Sequence, residues 1–199
     1  MTDNDYTEIC KNSFATHKAT LIQNTDRYLI IDWRKEDGSG DYYVNYIVDK
    51  KRGSLIVSGD LGDSIATWLN PLDPAKLKQY IHNDAGYYIS KFQAASDCYY
   101  YDSENVIADM KKEIEAIETD FCIDGEIYSA DEFWELIEDE VENCIYNGNF
   151  IPSGSLTDIL EEVGCCDVFE WLYTCGRRIE TRVYLWAEGF YMACEQLGI

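Results

Sequence analysis

The sequence predicts an α+β fold in which an N-terminal antiparallel sheet of three to four strands, packed with helices, precedes a helical and strongly acidic C-terminal half. Segments rich in β-branched and aromatic residues lie between residues 19 and 58, separated by glycine-containing turns. Apolar residues at helical spacing dominate the rest of the chain. The charge balance changes near residue 97, so we expect two regions, 1–96 and 97–199, in one or two compact domains.

The first region begins with a short amphipathic helix at residues 3–16 and continues as a β-meander. Segment 37–40 (DGSG) is typical of a turn, and segment 50–53 ends in Gly53, which allows the positive φ that a tight hairpin needs. These turns bound strands at residues 27–35, 41–49 and 54–58, and a shorter edge strand is expected at 19–23.

Helices are expected over the rest of the chain. Two short ones, at residues 60–69 and 73–83, are separated by a proline break, and Asp73 is a suitable N-cap for the second. The remaining predicted helices are at residues 84–92, 103–119, 130–146, 155–163, 167–175 and 179–197. The apolar stripe of the last one predicts a core element or, alternatively, an interface of a homo-oligomer: Ile179, Val183, Trp186, Phe190 and Leu197.

Almost all of the net charge of −22 comes from one stretch of the chain. Residues 97–170 contain 22 Asp/Glu and only two Lys, whereas residues 1–96 are nearly neutral, with 13 acidic and 11 basic residues. A halophilic protein would carry acidic residues over its whole surface, so this segregation argues against a halophilic origin. It indicates either a solubilising acidic face or a binding surface for a basic partner.

The predicted helix at residues 130–146 carries the densest negative charge. Phe133, Ile137, Val141 and Cys144 share one face, which predicts a buried stripe. The opposite face bears acidic residues that are repeatedly three or four positions apart. Such like-charge pairs destabilise a helix by about 0.2–0.5 kcal/mol each, or roughly 1–3 kcal/mol in total here. Folding does not need this repulsion, so it is consistent with a binding face for a basic partner, and a solubilising acidic face is the alternative.

Direct binding to nucleic acid or to an anionic membrane is unfavourable for a protein of this charge. The polar segment 1–7 does not resemble a secretory signal, and the longest apolar runs are too short to span a membrane. We therefore expect a cytoplasmic protein.

The eight cysteines are expected to be reduced and to act mainly as small core residues, as the apolar neighbours of Cys122 suggest. The sequence has no Cys-x-x-Cys pair, and the local cluster at positions 165, 166 and 175 has no nearby histidine. A structural zinc held by distant residues such as His82 and Cys98 is the alternative, and no cofactor is otherwise expected.

Catalysis is not indicated, and we expect no catalytic residues. Segment 62–65 (GDSI) is similar to the nucleophile block of GDSL-type esterases, which would make Ser64 the nucleophile of a small hydrolase. That family needs a late histidine with an aspartate three residues before it. The histidines of this chain are His17 and His82, and neither has an aspartate at that position.

Its acidic segment 97–170, its size and its many tyrosines make the chain resemble, as a class, the small acidic inhibitors of phages and mobile elements. These include type II-A anti-CRISPR proteins and antirestriction DNA mimics. Segment 58–63 (SGDLGD) followed by Trp68 is also similar to proteins of Gram-positive mobile elements. The resemblance implies a non-enzymatic inhibitor in a bacterial host cell. Its partner would be a basic nucleic-acid-binding protein such as a guide-RNA nuclease.

The predicted partner-binding residues are carboxylates of two helices: Asp131, Glu132, Glu135, Glu138, Asp139, Glu142, Glu115 and Glu118. The alternative function is a general protein-interaction module whose Tyr-rich surface, including Tyr43 and Tyr46, makes the contact. Arg177, Arg178 and Arg182 lie where a helix dipole disfavours cations, so we expect them to pair with acids of segment 97–170.

Overall fold

The computed structural model describes residues 3–114, 121–123 and 125–199 and divides into two compact units. Unit 1 comprises Met1–Cys98 and Ile179–Ile199, and unit 2 comprises Tyr99–Arg178. Each unit has a hydrophobic core of its own. The C-terminal helix does not join the rest of the predicted region 97–199. It packs in the core of unit 1, where it covers the sheet.

The α+β class and the N-terminal antiparallel sheet are confirmed, but the sheet has six strands rather than three or four. The helices are α1 (Asp3–Ser13), α2 (Pro74–Asn83), α3 (Ala85–Ile89), α4 (Ser103–Glu113), α5 (Ala130–Cys144), α6 (Gly154–Glu162), α7 (Val168–Trp171) and α8 (Thr181–Leu197). The sheet strands are β1 (His17–Asn24), β2 (Tyr28–Lys35), β3 (Val44–Asp49), β4 (Ser54–Gly59), β5 (Ser64–Thr67) and β6 (Phe92–Ala95). Short strands follow at β7 (Tyr99–Tyr100), β8 (Phe121–Ile123), β9 (Glu126–Tyr128), β10 (Ile145–Tyr146), β11 (Asn149–Phe150) and β12 (Arg178–Ile179).

The two extra strands correct the sequence prediction. Residues 60–69 do not form a helix. They contain β5, which pairs with β4 on one side and β6 on the other. Asp60, at the start of this range, accepts a hydrogen bond of 2.8 Å from the backbone N–H of Tyr42. The predicted helix at 84–92 is present as the shorter α3 (Ala85–Ile89), and residue 92 is the first residue of β6.

The inner face of the sheet forms the core of unit 1 together with α1, α2 and α8. Trp33, Tyr46 and Trp186 are fully buried, and the Tyr46 hydroxyl donates a hydrogen bond of 3.0 Å to the carbonyl of Trp186. Gly189 lies directly against the Tyr46 hydroxyl, where a Cβ atom would overlap it. The apolar stripe of α8 is therefore a core element, because Val183, Trp186 and Phe190 have no exposed surface for an oligomer interface.

The outer face of the sheet carries a row of isoleucines. The register places Ile30, Ile47, Ile56 and Ile65 side by side on four neighbouring strands. Ile65 is 41% exposed and the other three are half-buried. Neighbouring rows are polar, so the isoleucine row is a narrow apolar band on this face.

Unit 2 is mainly helical. Its core collects the apolar faces of α4, α5 and α6 with Val168 and Leu172. The predicted helix at 103–119 begins as expected with Asp102 as N-cap, and α4 ends at Glu113. Residues 115–119 of that prediction lie outside the described residues. In place of the single helix predicted at 167–175, the structure has α7 followed by a 3-10 turn at Leu172–Thr174.

No helix among the described residues is long and apolar enough to cross a membrane.

Candidate partner-binding surface

Helix α5 begins with a complete capping box. Ser129 accepts a hydrogen bond from the backbone N–H of Glu132 at 3.4 Å, and the Glu132 carboxylate accepts bonds from the N–H and the hydroxyl of Ser129 at 2.9 and 2.7 Å. These bonds lower the pKa of Glu132, the backbone bond from Ser129 most of all. Glu132 therefore holds the helix start, and only part of its carboxylate is free to meet a partner.

The two faces of α5 are arranged as the sequence predicts. Phe133, Ile137 and Val141 are fully buried and Cys144 is 5% exposed. The six predicted carboxylates of this helix are all exposed to solvent: Asp131, Glu132, Glu135, Glu138, Asp139 and Glu142. The acidic face is thus presented outward over the whole length of the helix.

The four basic residues of unit 2 leave most of this face uncompensated. Lys111 lies 3.5 Å from Glu138 and over the ring of Trp134, with its Nζ 4.9 Å from the ring centre. The Arg177 guanidinium lies 4.8 Å from the centre of the Tyr99 ring. In the part of unit 2 that the structure describes, the α5 acids other than Glu138 form no ion pair: Asp131, Glu132, Glu135, Asp139, Glu140 and Glu142.

The other two basic residues of unit 2, Lys112 and Arg178, both form ion pairs with Asp109. Its carboxylate accepts two bonds from Arg178, at 2.7 and 3.2 Å, one from Lys112 at 2.8 Å and one from the backbone N–H of Gly176 at 2.9 Å. The Arg178 bonds are the main reason why the pKa of Asp109 lies far below its usual value. The expected pairing of Arg178 with an acid of segment 97–170 is confirmed. Neither Arg177 nor Arg182 forms an ion pair within the described residues.

A cleft runs between α4 and α5. Glu104, Glu138 and Glu142 line it, with Ile107 at its base. Glu104 is not among the predicted site residues, although its place in the first turn of α4, two residues after the Asp102 N-cap, is typical of an exposed acid. Three carboxylates around one cleft suit a cationic side chain such as Arg or Lys.

A second exposed acidic group lies on α6. Asp158, Glu161 and Glu162 surround a shallow depression that also includes Ile123. The two remaining predicted site residues, Glu115 and Glu118, lie outside the described residues. The structure therefore places six of the eight predicted residues on the exposed face of one helix.

The Tyr-rich alternative is weakened by the position of Tyr46, which is fully buried in the core of unit 1. Tyr43 is half-buried on the outer face of the sheet. Its hydroxyl donates to Asp32 at 3.0 Å, and its ring lies beneath the Arg34 guanidinium at 4.2 Å. Tyr43 and Tyr46 are three positions apart in one extended segment, so they face opposite sides of the sheet.

Ser64 has no access to a substrate, because it is 1% exposed on the inner face of the sheet. His17 is also buried, and His82 pairs with the buried Glu188. A small cavity beside that pair is lined by Cys10 and Ala187, among others, and burial raises the pKa of the Cys10 thiol to about 12. A protonated, enclosed thiol is a poor nucleophile.

The cysteines are distributed between core and surface. Cys10, Cys144, Cys175 and Cys194 are buried, as expected. Cys122 is exposed, contrary to the prediction, because alternate residues of β8 face opposite sides and Ile123 takes the buried one. Within the described ranges no three His, Cys, Asp or Glu side chains are grouped so as to hold a metal ion.

Comparisons with known proteins give no relative to this chain: no family model, no curated protein and no solved structure matches it.

Proposed function

We propose that this chain is a non-enzymatic inhibitor whose α5 face binds the basic nucleic-acid groove of a DNA-binding protein, with guide-RNA nucleases as the first class to test. The observation that carries the proposal is the uncompensated row of exposed carboxylates on α5. Acids occupy 7 of the 15 positions of α5. A helix rises about 1.5 Å per residue, so α5 carries one negative charge per ~3 Å, about half the density of duplex DNA with its one charge per ~1.7 Å.

Energetics support a binding role for this face. The repulsion between neighbouring acids of α5 disfavours the helix, and the capping box and the buried stripe offset it. A basic groove would relieve that repulsion on binding and would accelerate association through long-range attraction. The acidic side chains of α5 would bind the Lys and Arg side chains of the partner that otherwise contact phosphate.

The test uses a triple variant, Glu135→Lys with Asp139→Lys and Glu142→Lys. Glu138 is left unchanged because Lys111 pairs with it, and Glu132 because it caps the helix. The matched control, Asp26→Lys with Glu36→Lys and Asp63→Lys, makes the same charge change at exposed positions of unit 1. Immobilised wild-type protein is used to capture partners from a bacterial lysate, and a salt gradient elutes them. Captured candidates are then assayed for DNA displacement by fluorescence anisotropy.

We expect the wild type and the control to capture a nucleic-acid-binding protein and to displace its DNA, whereas the triple variant does neither. Equal capture by the triple variant would refute the α5 proposal. Capture of a protein with no nucleic-acid groove would refute the proposed target class.

The alternative function, an interaction module that uses the sheet, is favoured by one observation, the isoleucine row on the outer face. In that case binding would hardly respond to salt, because apolar contacts dominate it. Ile47→Ser would then abolish binding and the α5 triple variant would not.

A further inference from the structure

Unit 1 contains an aromatic groove that sequence analysis did not identify. Trp68, Tyr80 and Tyr87 form its wall, and they come from the segment after β5, from α2 and from α3. The indole N–H of Trp68 donates a hydrogen bond of 3.0 Å to the Tyr87 hydroxyl. The rings of Tyr80 and Tyr87 meet edge to face, with centres 6.4 Å apart. The aromatic wall is therefore held in place by its own contacts.

Apolar side chains at the mouth of this groove are open to solvent. Leu69 is 104% exposed, more than any other large hydrophobic among the described residues, and Tyr80 is 51% exposed. An isolated surface leucine is common, but here leucine, tyrosine and the adjacent Pro71 lie around one concave surface. Such aromatic-lined grooves are a recurring form of peptide-binding site.

The loop that carries Leu69 is fixed to a basic turn. The backbone N–H groups of Trp68 and Leu72 donate to the carbonyls of Gly53 and Lys50, both at 2.7 Å. Gly53 has a φ of +68°, and a Cβ atom there would overlap the carbonyl oxygens of Trp68 and Asn70. This close approach brings the β3–β4 turn, with Lys51 and Arg52, beside the groove loop.

The rim of the groove is basic, although the whole chain has a net charge of −22. Lys76 and Lys91 line the groove itself, and the Lys91 Nζ lies 4.4 Å from the centre of the Tyr87 ring. In the described parts of the chain, none of Lys51, Arg52, Lys76 and Lys91 forms an ion pair. These cations are available to an external anion.

The nearby acids are engaged in capping helices. Asp73 accepts the N–H of Ala75 at 3.1 Å at the start of α2, and Asp84 accepts the N–H of Tyr87 at 2.7 Å at the start of α3. Their charges interact with the positive ends of those helices. The groove therefore combines an apolar wall with cations that form no ion pair with any described acid, and Asp73, which also lines the groove, is engaged as the N-cap of α2.

We propose that this groove is a docking site for a short peptide segment of a partner protein, one that combines large apolar side chains with carboxylates. The apolar side chains pack on Trp68, Leu69 and Tyr80, and the carboxylates meet Lys76 and Lys91. A peptide fits better than a nucleic acid. A nucleic acid carries a negative phosphate at every nucleotide, so the net negative charge of the chain would repel it more strongly than a peptide with a few carboxylates. This site lies in unit 1 and does not depend on the proposed role of α5.

The test begins with a random dodecapeptide phage library selected on the full-length chain. Counter-selection uses the double variant Leu69→Ser with Lys76→Glu, two exposed positions whose replacement leaves the core intact. We expect the enriched peptides to contain Asp or Glu next to large apolar residues. Enrichment of basic peptides, or no enrichment over the double variant, would overturn the proposal.

Affinities of a labelled enriched peptide are then measured by fluorescence anisotropy, with circular dichroism to confirm folding. The double variant should bind about thirtyfold more weakly, the loss expected for a central apolar contact together with a charge. The control, Ile22→Ser with Lys18→Glu, makes the same chemical change at exposed positions of β1 and should bind like the wild type. Equal losses in both variants would overturn the assignment to the groove.

Two further measurements distinguish the groove from the α5 face and from a nucleic-acid site. The α5 triple variant should bind the peptide with wild-type affinity, so a failure of the α5 proposal leaves this result intact. Labelled decathymidylate should not bind detectably. If it binds more tightly than the peptide and the double variant loses that binding, the groove is a single-strand nucleic-acid site and the peptide proposal is wrong.

Discussion

The Nε2 atom of His82 lies 2.7 Å from Oε2 of Glu188, a carboxylate that is only 3% exposed in the core of unit 1. The imidazole also stacks on Tyr191, with ring centres 4.4 Å apart. The hydrogen bond to Glu188 is the largest cause of a raised pKa of His82. Helix α2 is thus joined to α8 by a partly buried hydrogen bond that becomes an ion pair when His82 is protonated.

The first prediction concerns the pH dependence of this pair. Because the pKa of His82 is higher in the folded chain than its ordinary 6.5, the pair stabilises the fold fully below that value. The contribution is lost as pH rises through the folded-state pKa. Glu188→Gln should reduce the free energy of unfolding by about 2 kcal/mol at low pH and by less at high pH. Urea unfolding at a series of pH values measures the difference.

A second histidine, His17, also contributes to the pH dependence of stability, so the wild-type curve alone does not isolate the His82–Glu188 pair. Burial is the main reason why the pKa of His17 is lowered, so its contribution has the opposite sign and is lost as pH falls. Subtracting the Glu188→Gln curve from the wild-type curve removes this second histidine. A difference that does not change with pH would contradict the role of the His82–Glu188 pair.

The second prediction concerns Asp109. Four donors converge on its carboxylate, so Asp109→Asn should lower the free energy of unfolding by about 2–3 kcal/mol. Lys112→Ala removes a largely exposed partner and should cost less than about 0.5 kcal/mol. Because the pKa of Asp109 is lowered, its contribution is present above the ordinary value of 3.8 and decreases as pH falls below it. Urea unfolding of both variants measures these losses, and similar losses would contradict the central position of Asp109.

The third prediction compares two glycines with positive φ. Gly53→Ala places a Cβ against two backbone carbonyls and should cost more than about 2 kcal/mol. Gly38→Ala meets nothing within 4 Å and should cost only the backbone strain, about 1 kcal/mol. Thermal unfolding of the two variants gives the difference. Equal stability of the two variants would contradict the close contact between the β3–β4 turn and the loop that carries Leu69.

The fourth prediction concerns repulsion on α5. Glu135 has acids three or four positions away on both sides, so Glu135→Lys should stabilise the chain by about 1 kcal/mol. Asp63→Lys makes the same charge change at an exposed position outside the helices and should have little effect. Urea unfolding at low ionic strength should show the gain, and added salt should reduce it. No gain over the control would mean that the acids of α5 do not repel one another measurably.

Strongly periodic elements could be predicted from the sequence. Helix α5 was recognisable because Phe133, Ile137, Val141 and Cys144 recur at helical spacing. Strands β2 to β4 were recognisable from β-branched residues between turns. The acidic face of α5 followed directly from its helical periodicity, since the residues opposite a buried stripe must face solvent.

Features that depend on distant parts of the chain could not be predicted in this way. Strand β5 has four residues, and its aspartate-flanked sequence also suits a helix start, so only pairing with β4 and β6 decides it. Strand periodicity alone does not decide which of Tyr43 and Tyr46 is buried, because that depends on which side of the sheet α8 covers. The aromatic groove joins Trp68, Tyr80 and Tyr87 from three elements, and no local pattern links them.

The path of the chain through unit 1 has a consequence for biosynthesis. The ribosome makes the six strands first and α8 only after the whole of Tyr99–Arg178. Until α8 emerges, Tyr46 on the inner face of the sheet lacks its contacts with Trp186 and Phe190. A nascent chain stopped before residue 179 would therefore expose an apolar, aggregation-prone sheet, and it would need chaperone protection or be degraded.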